Sequence, residues 1–200
     1  MNNFNIFSIN PIIYTLDDFI DEFILQNLMA IEFNFKKGET RKNMANDHRK
    51  SYVASIENNH PCIELIHKNI SNKLNFNLTK IESLQIQKYE KGCFYKPHFD
   101  VDTSHIKLNN KNLNAQRRYS IIIYLNDDYQ GGETHFPNKN ITIKPKLFRA
   151  LVFENCIRGS NFPNPLSFHE GRKIINGNKY ILNTWSYESN YSIPFKFKKN

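Results

Sequence analysis

No stretch of this 200-residue chain approaches 18 consecutive apolar residues, so the sequence offers no candidate membrane-spanning helix. The opening segment, MNNFNIFSINPIIY, lacks both a basic start and a long apolar run, and no secretory leader is expected. Cysteine is scarce. Cys62, Cys93 and Cys156 are odd in number and widely spaced, which argues against a disulfide framework or a CxxC zinc site and suits a reducing compartment. A soluble, intracellular protein without a membrane partner is the expectation. Internal repeats and long Pro/Gly/Ser linkers are missing too. One domain is therefore expected over 1–200, long enough to bury a core without staples.

What is present argues for a folded chain: 40% hydrophobic residues, with 16 Phe and 10 Tyr. The net charge is +8, from 27 basic and 19 acidic residues, and twenty of the basic ones are Lys. Lys, Asn and Ile are in joint excess, as AT-rich codons encode, so the charge reads as a solvated lysine surface. Attraction of nucleic acid or of an acidic partner is the functional alternative.

Two helices are predicted first. Residues 15–31 place Leu16, Phe19, Ile20, Phe23, Ile24, Leu28 and Ile31 at helical spacing, with Thr15 or Asp17 as the cap. Residues 60–75 repeat the pattern through Ile63, Ile66, Ile70 and Leu74, with Pro61 at the start. The polar stretch 34–50 between them reads as a loop. From residue 81 the period shortens. IESLQIQKYE alternates, and RRYSIIIYLN (117–126) is β-branched and aromatic enough for a central strand. Short strands are expected at 133–136, 141–144, 147–153, 166–169 and 179–187. Gly131-Gly132 reads as a turn before a strand, not as a phosphate cradle. Helices followed by many short strands predict an α+β architecture: a helical layer over 12–75 against a β-sandwich or barrel over 81–187, then a short basic tail, KFKKN.

The chemistry concentrates near residue 98. In His98-Phe99-Asp100 the outer two residues fall on one face of a strand, where both can reach one ion. An imidazole and a carboxylate on one face are two-thirds of the 2-His-1-carboxylate triad that binds Fe(II). The triplet alone is weak, since about 0.3 such triplets arise by chance at this composition. The second histidine must come from elsewhere, with His105, His135 and His169 as candidates. His169 is preferred because Lys179 follows ten residues later, after a Gly-Asn turn, and can supply a compact cation deep in a barrel.

At this point the sequence resembles a known family, the prolyl 4-hydroxylase branch of the Fe(II)/2-oxoglutarate-dependent dioxygenases. The resemblance runs from about residue 12 to 187. IESLQIQKYEKGCFYKPHFD is similar to the family pattern E-x-LQ-x-x-x-Y-x-x-G-x-x-Y-x-x-H-x-D. RRYSIIIYLND, YQGGETHFP and ITIKPKLFRALVFEN follow in order, and His169, Gly171, Lys179 and Trp185 close the match.

The resemblance implies a double-stranded β-helix, a jelly-roll or cupin-like barrel, with the N-terminal helices packed against its major sheet. It implies that His98, Asp100 and His169 bind iron and that Lys179 holds the far carboxylate of 2-oxoglutarate. Tyr89 and Tyr124 match cosubstrate-contacting positions; Tyr95, Arg117, Ser120 and Trp185 match positions near the pocket or the substrate groove. Lysine rather than arginine at 179 points to the collagen or plant-and-algal type and speaks against a nucleic-acid target. The implied reaction consumes O2, with ascorbate as reductant, hydroxylates proline in a peptide or protein, and releases succinate and CO2. The alternatives are a 2-oxoglutarate oxygenase acting on another protein side chain, a free amino acid or a base, and a catalytically silent barrel that binds peptide or sugar. Three departures from the family stand out: Ser120 replaces a common Thr, Cys93 a common Gln, and GRKII at 171–175 a Pro-Val pair. The loops 101–116 and 155–167 would border the groove.

Overall fold

The structure is a computed structural model, and it describes residues 3–38, 48–57 and 59–195. The expected basic tail KFKKN and the middle of the expected loop at 34–50, residues 39–47, lie outside the described residues. In chain order the elements are β1 (Phe4–Ile9), β2 (Ile12–Leu16), α1 (Glu22–Met29), β3 (Lys36–Lys37), β4 (Arg49–Lys50), β5 (Tyr52–Ser55), α2 (Pro61–Leu74), β6 (Gln85–Tyr89), β7 (Phe94–His98) and α3 (His105–Leu108). They continue with β8 (Tyr119–Tyr124), β9 (Gln130–Gly131), β10 (Thr134–Phe136), β11 (Ile141–Ile143), β12 (Ala150–Glu154), β13 (His169–Gly171), β14 (Ile174–Asn176) and β15 (Lys179–Ser186).

Two sheets form the body. The major sheet runs β1-β2-β12-β8-β15-β6-β5-β3, and the minor sheet runs β11-β10-β13-β7-β4. All the strand pairings are antiparallel. Side chains alternate across a strand, so each central strand of the major sheet feeds two cores. In β8, Tyr119, Ile121 and Ile123 join the cluster under the helices, while Ile122 and Tyr124 join the cluster between the sheets. In β12, Ala150 and Val152 face the helices, and Leu151 and Phe153 face the interior. Burial on both faces explains why these strands read as continuous apolar runs.

Helix α2 covers the outer face with Ile63, Ile66, Ile70 and Leu74, all fully buried. His60 caps its start through Nδ1, which accepts from the Cys62 N–H, and Asn75 ends it in the left-handed conformation at φ 63°. Helix α1 is shorter than the spacing predicts. Residues 12–16 form β2 instead, inserted between β1 and β12, so Leu16 belongs to a strand. The cap is Asp21, whose carboxylate accepts from the Ile24 N–H at 2.9 Å, and neither Thr15 nor Asp17. Thr15 lies inside β2, and Asp17 pairs with Arg149 and Lys146. Leu16, Phe19 and Ile20 are buried as expected, but Leu16 is held by sheet pairing and Phe19 and Ile20 lie in the bend that follows β2.

The barrel therefore draws strands from 4–55 as well as from 81–187, and the layer over 12–75 is not purely helical. Part of the expected loop at 34–50 forms β3 and β4. The strand expected at 166–169 starts only at His169, after a 3-10 turn at Pro165–Ser167. The loop 101–116 holds α3 and a second 3-10 turn, Leu113–Ala115. No helix among the described residues is long and apolar enough to cross a membrane.

Candidate active site

His98 is the last residue of β7, and His169 is the first of β13, directly opposite it in register. Asp100 lies two residues past the end of β7. Their ligand atoms gather in one place: His98 Nε2 is 3.4 Å from Asp100 Oδ1, and His169 Nε2 is 3.8 Å from Asp100 Oδ2. These spacings are too long for good hydrogen bonds and suit donors arranged around a shared ion. Among the described residues this is the only such group of three.

The surroundings fix each ligand. Nδ1 of His98 faces the Lys96 carbonyl at 2.8 Å, and Nδ1 of His169 faces the Ser167 carbonyl at 3.0 Å. A carbonyl only accepts, so both Nδ1 atoms carry the proton and both Nε2 lone pairs point at the site. Burial pushes His169 from 6.5 down to about 4, with His98 adding to the effect, so the ring is neutral at pH 7. Burial works against the Asp100 charge, but the two imidazoles and the Ser120 hydroxyl outweigh it and hold its pKa well below the usual carboxylate value. Ser120 Oγ donates to Asp100 Oδ2 at 2.5 Å, and Trp185 Nε1 donates to the same oxygen at 3.0 Å. Asn155 Nδ2 in turn donates to Ser120 Oγ at 2.9 Å. Two imidazoles with their Nε2 atoms turned to the site and an ionised carboxylate, with no protein cation between them among the described residues, fit Fe(II).

The triad opens into a cavity of about 270 Å³ lined by Lys179, Tyr89, Gln87, Thr134, Ile122 and Ile181, with Tyr95, Arg117 and Trp185 also in its wall. Lys179 opens β15 and is only 3% exposed. Its ammonium donates to the Gly132 carbonyl at 2.6 Å and lies 5.5 Å from the ring centres of both Tyr89 and Tyr124. Burial lowers it from 10.5 to about 8, partly offset by Glu133. Gly131-Gly132 is thus more than a turn. Gly132, at φ 71°, presents its carbonyl to the lysine, and a Cβ there would come within 2.4 Å of Ile174 Cδ1.

Each residue singled out in the sequence has a definite place. The Tyr89 hydroxyl donates to Gln87 Oε1 at 2.8 Å, and Tyr124 shares a hydrogen bond of 2.8 Å with Thr134 Oγ1. Burial raises Tyr124 to about 12, so it stays a neutral hydroxyl. Tyr95 stacks on His98, with ring centres 3.5 Å apart at 13°. The Arg117 guanidinium sits 3.8 Å over the Trp185 ring and binds both carboxylate oxygens of Glu82 at 2.6 Å. His105 is exposed on α3, and His135 pairs with Thr142 at 2.9 Å on β10, so neither joins the triad. Gln87, Thr134 and Arg49 line the cavity without a motif that marks them in the sequence; such residues are recognised only once their pairing partners are known.

Residues 84–187 match the 2OG-Fe(II) oxygenase superfamily. The chain belongs to this superfamily. A putative prolyl 4-hydroxylase of Acanthamoeba polyphaga mimivirus is 34% identical over 146 residues, covering 72% of this chain and 60% of the relative. Prolyl 4-hydroxylase 1 of Arabidopsis thaliana is 30% identical over 166 residues, covering 74% and 56%. The chain therefore spans little more than half the length of these curated relatives. The fold is similar to that of a viral collagen prolyl hydroxylase from Paramecium Bursaria Chlorella virus-1, solved as its 2OG complex. The TM-score is 0.68 and the identity 23%, over 86% of this chain and 94% of that one. The barrel is thus a double-stranded β-helix, as the resemblance implied, and the superfamily's cofactors are Fe(II) and 2-oxoglutarate with O2.

Proposed function

We propose that this oxygenase hydroxylates proline in a peptide or protein substrate. The reading rests on one observation above all: His98, Asp100 and His169 converge in the same cavity as the buried cation of Lys179. The naming of its sequence relatives as prolyl 4-hydroxylases supports the choice of target.

His98 and His169 would hold Fe(II) through Nε2 and Asp100 through its carboxylate. When bound, iron and 2-oxoglutarate supply the O2 chemistry that converts the cosubstrate to succinate and CO2 and places oxygen on a C–H bond. Lys179 neutralises the far carboxylate of the cosubstrate in a site where few water molecules can compete. The Thr134 hydroxyl, hydrogen-bonded to Tyr124, lines the same cavity and would fix that end. Ser120 and Trp185 hold the Asp100 carboxylate in one orientation. Tyr95, Trp185 and the Arg117 guanidinium, itself held by Glu82, all line the cavity and offer aromatic and cationic contacts to an extended proline-containing segment. Ascorbate serves as the external reductant.

The test is one incubation of the protein with Fe(II), ascorbate, 2-oxoglutarate and a peptide panel: polyproline, collagen-like, Ser/Pro-rich and a proline-free control. Succinate and peptide mass are read from the same tube. One added oxygen on proline, coupled to succinate and abolished in His98→Ala or His169→Ala, is the expected result. Succinate without oxidised proline would move the target to another substrate. Neither product from metal-loaded protein would leave a binding barrel.

A further inference from the structure

The cavity wall between Lys179 and the triad carries one buried amide with half of its hydrogen-bonding capacity unused. Gln87 lies on β6 opposite Ile181 of β15, two residues along from the Lys179–Tyr89 pair, or ~7 Å. It lines the cavity and is 2% exposed. Buried carboxamides normally find partners at both ends. Here Oε1 accepts the Tyr89 hydroxyl at 2.8 Å, while Nε2, with two N–H donors, has no protein partner among the described residues. In this arrangement the amide turns its oxygen to the tyrosine and its nitrogen away from it. Its acceptor end is taken, and its donor end is left for whatever fills the cavity.

A pair of neutral donors beside a buried ammonium suits an anion with oxygen acceptors. The oxygenase reading puts a dicarboxylate in this cavity, and the present inference rests on that reading. We propose that Gln87 is a binding residue for the dicarboxylate cosubstrate, with Nε2 donating to one of its carboxylate oxygens while Oε1 holds the Tyr89 hydroxyl. Charge-assisted hydrogen bonds of this kind are about twice as strong as neutral ones. A neutral donor also adds affinity without placing a second cation in the barrel.

Two substitutions separate the two ends of the amide. Gln87→Met removes both. Gln87→Glu keeps an acceptor for the Tyr89 hydroxyl but replaces the donors with a negatively charged oxygen. Binding of 2-oxoglutarate to the Mn(II)-loaded protein can be followed by the thermal shift and by the fluorescence of Trp185, the chain's single tryptophan. The Mn(II)-only shift should match wild type in both variants, which shows that the fold and the triad are intact. The Kd for 2-oxoglutarate should rise about tenfold in Gln87→Met and further in Gln87→Glu. Tyr89→Phe, which leaves the Gln87 donors in place, should raise it less than Gln87→Glu. A Gln87→Glu protein that binds like wild type would reduce Gln87 to a support for Tyr89 and overturn the proposal. So would a Tyr89→Phe loss as large as that of Gln87→Glu. A wild-type protein that binds Mn(II) but gives no response to 2-oxoglutarate would remove the oxygenase reading itself, and this inference with it.

Discussion

The Lys179 ammonium donates to the carbonyl of Gly132, 2.6 Å away, and this contact is its only hydrogen bond to protein among the described residues. The remaining two N–H groups of the lysine are therefore free for a ligand. The same burial that makes the cation effective makes it costly to keep charged in the absence of a partner anion.

Lys179→Met should accordingly lose most of its affinity for 2-oxoglutarate and yet fold at least as stably as wild type at pH 7. The folded-state pKa of about 8 lies below the ordinary 10.5, so the folded state binds fewer protons than the unfolded state between these values. The penalty is full below pH 8 and disappears as pH rises toward 10.5. It is on the order of 3 kcal/mol. The stability difference between Lys179→Met and wild type, from urea unfolding at pH 7 and at pH 10, should shrink at the higher pH. A difference that stays flat with pH would contradict the assignment.

Ser120→Ala should weaken metal binding without touching a metal ligand. The hydroxyl donates to Asp100 Oδ2 and accepts from Asn155, so its loss frees the carboxylate to rotate. The expected loss of Mn(II) affinity is about tenfold or more, read by titration. An unchanged affinity would mean that Trp185 alone orients Asp100.

Arg117→Gln removes the cation stacked on Trp185 and leaves Glu82 without its bidentate partner. The KM for peptide should rise severalfold, while the Kd for 2-oxoglutarate stays at the wild-type value. Equal effects on both ligands would place Arg117 outside the peptide groove.

Asp17, just past β2, is tied to Arg149, just ahead of β12. Its hydrogen bond to Arg149, aided by Lys146, lowers its pKa below the ordinary carboxylate value. A depressed folded-state pKa contributes stability above the unfolded value, and that contribution is lost as pH falls through the folded value. Asp17→Asn should thus lower stability by about 1 kcal/mol at pH 7. The difference should begin to shrink below about pH 4 and vanish only below the lower folded-state value, read by thermal unfolding across that range.

The triad and Lys179 were legible because they sit at fixed offsets within blocks that keep their order: HxD at 98–100, then His169 with Lys179 ten residues on. Helix α2 was legible too, since its apolar spacing, its Pro61 and its core all agree. The N-terminal hairpin was not. Leu16, Phe19 and Ile20 are all buried, and a helix would bury the same three as a strand end followed by a loop. The choice was made by β12, more than 130 residues away, whose free edge β2 covers. Gln87 carries no motif, and Gly132 reads only as part of a turn, for a related reason. Their roles depend on Tyr89 and Lys179 side chains that meet them only in the folded barrel.

His98 and His169 stand opposite each other in neighbouring strands although 71 residues separate them in sequence. A contact of that span forms only after a large loop has closed, so it belongs to the slow, late part of folding for a chain rich in non-local pairings. The ion therefore cannot template the early chain. It reports completion, because an affinity for Fe(II) or Mn(II) exists only once β7 and β13 have zipped together. An ion held by this pair would act as a clasp on that seam. Excess metal should slow unfolding far more than it speeds refolding, and a chelator should reverse the effect.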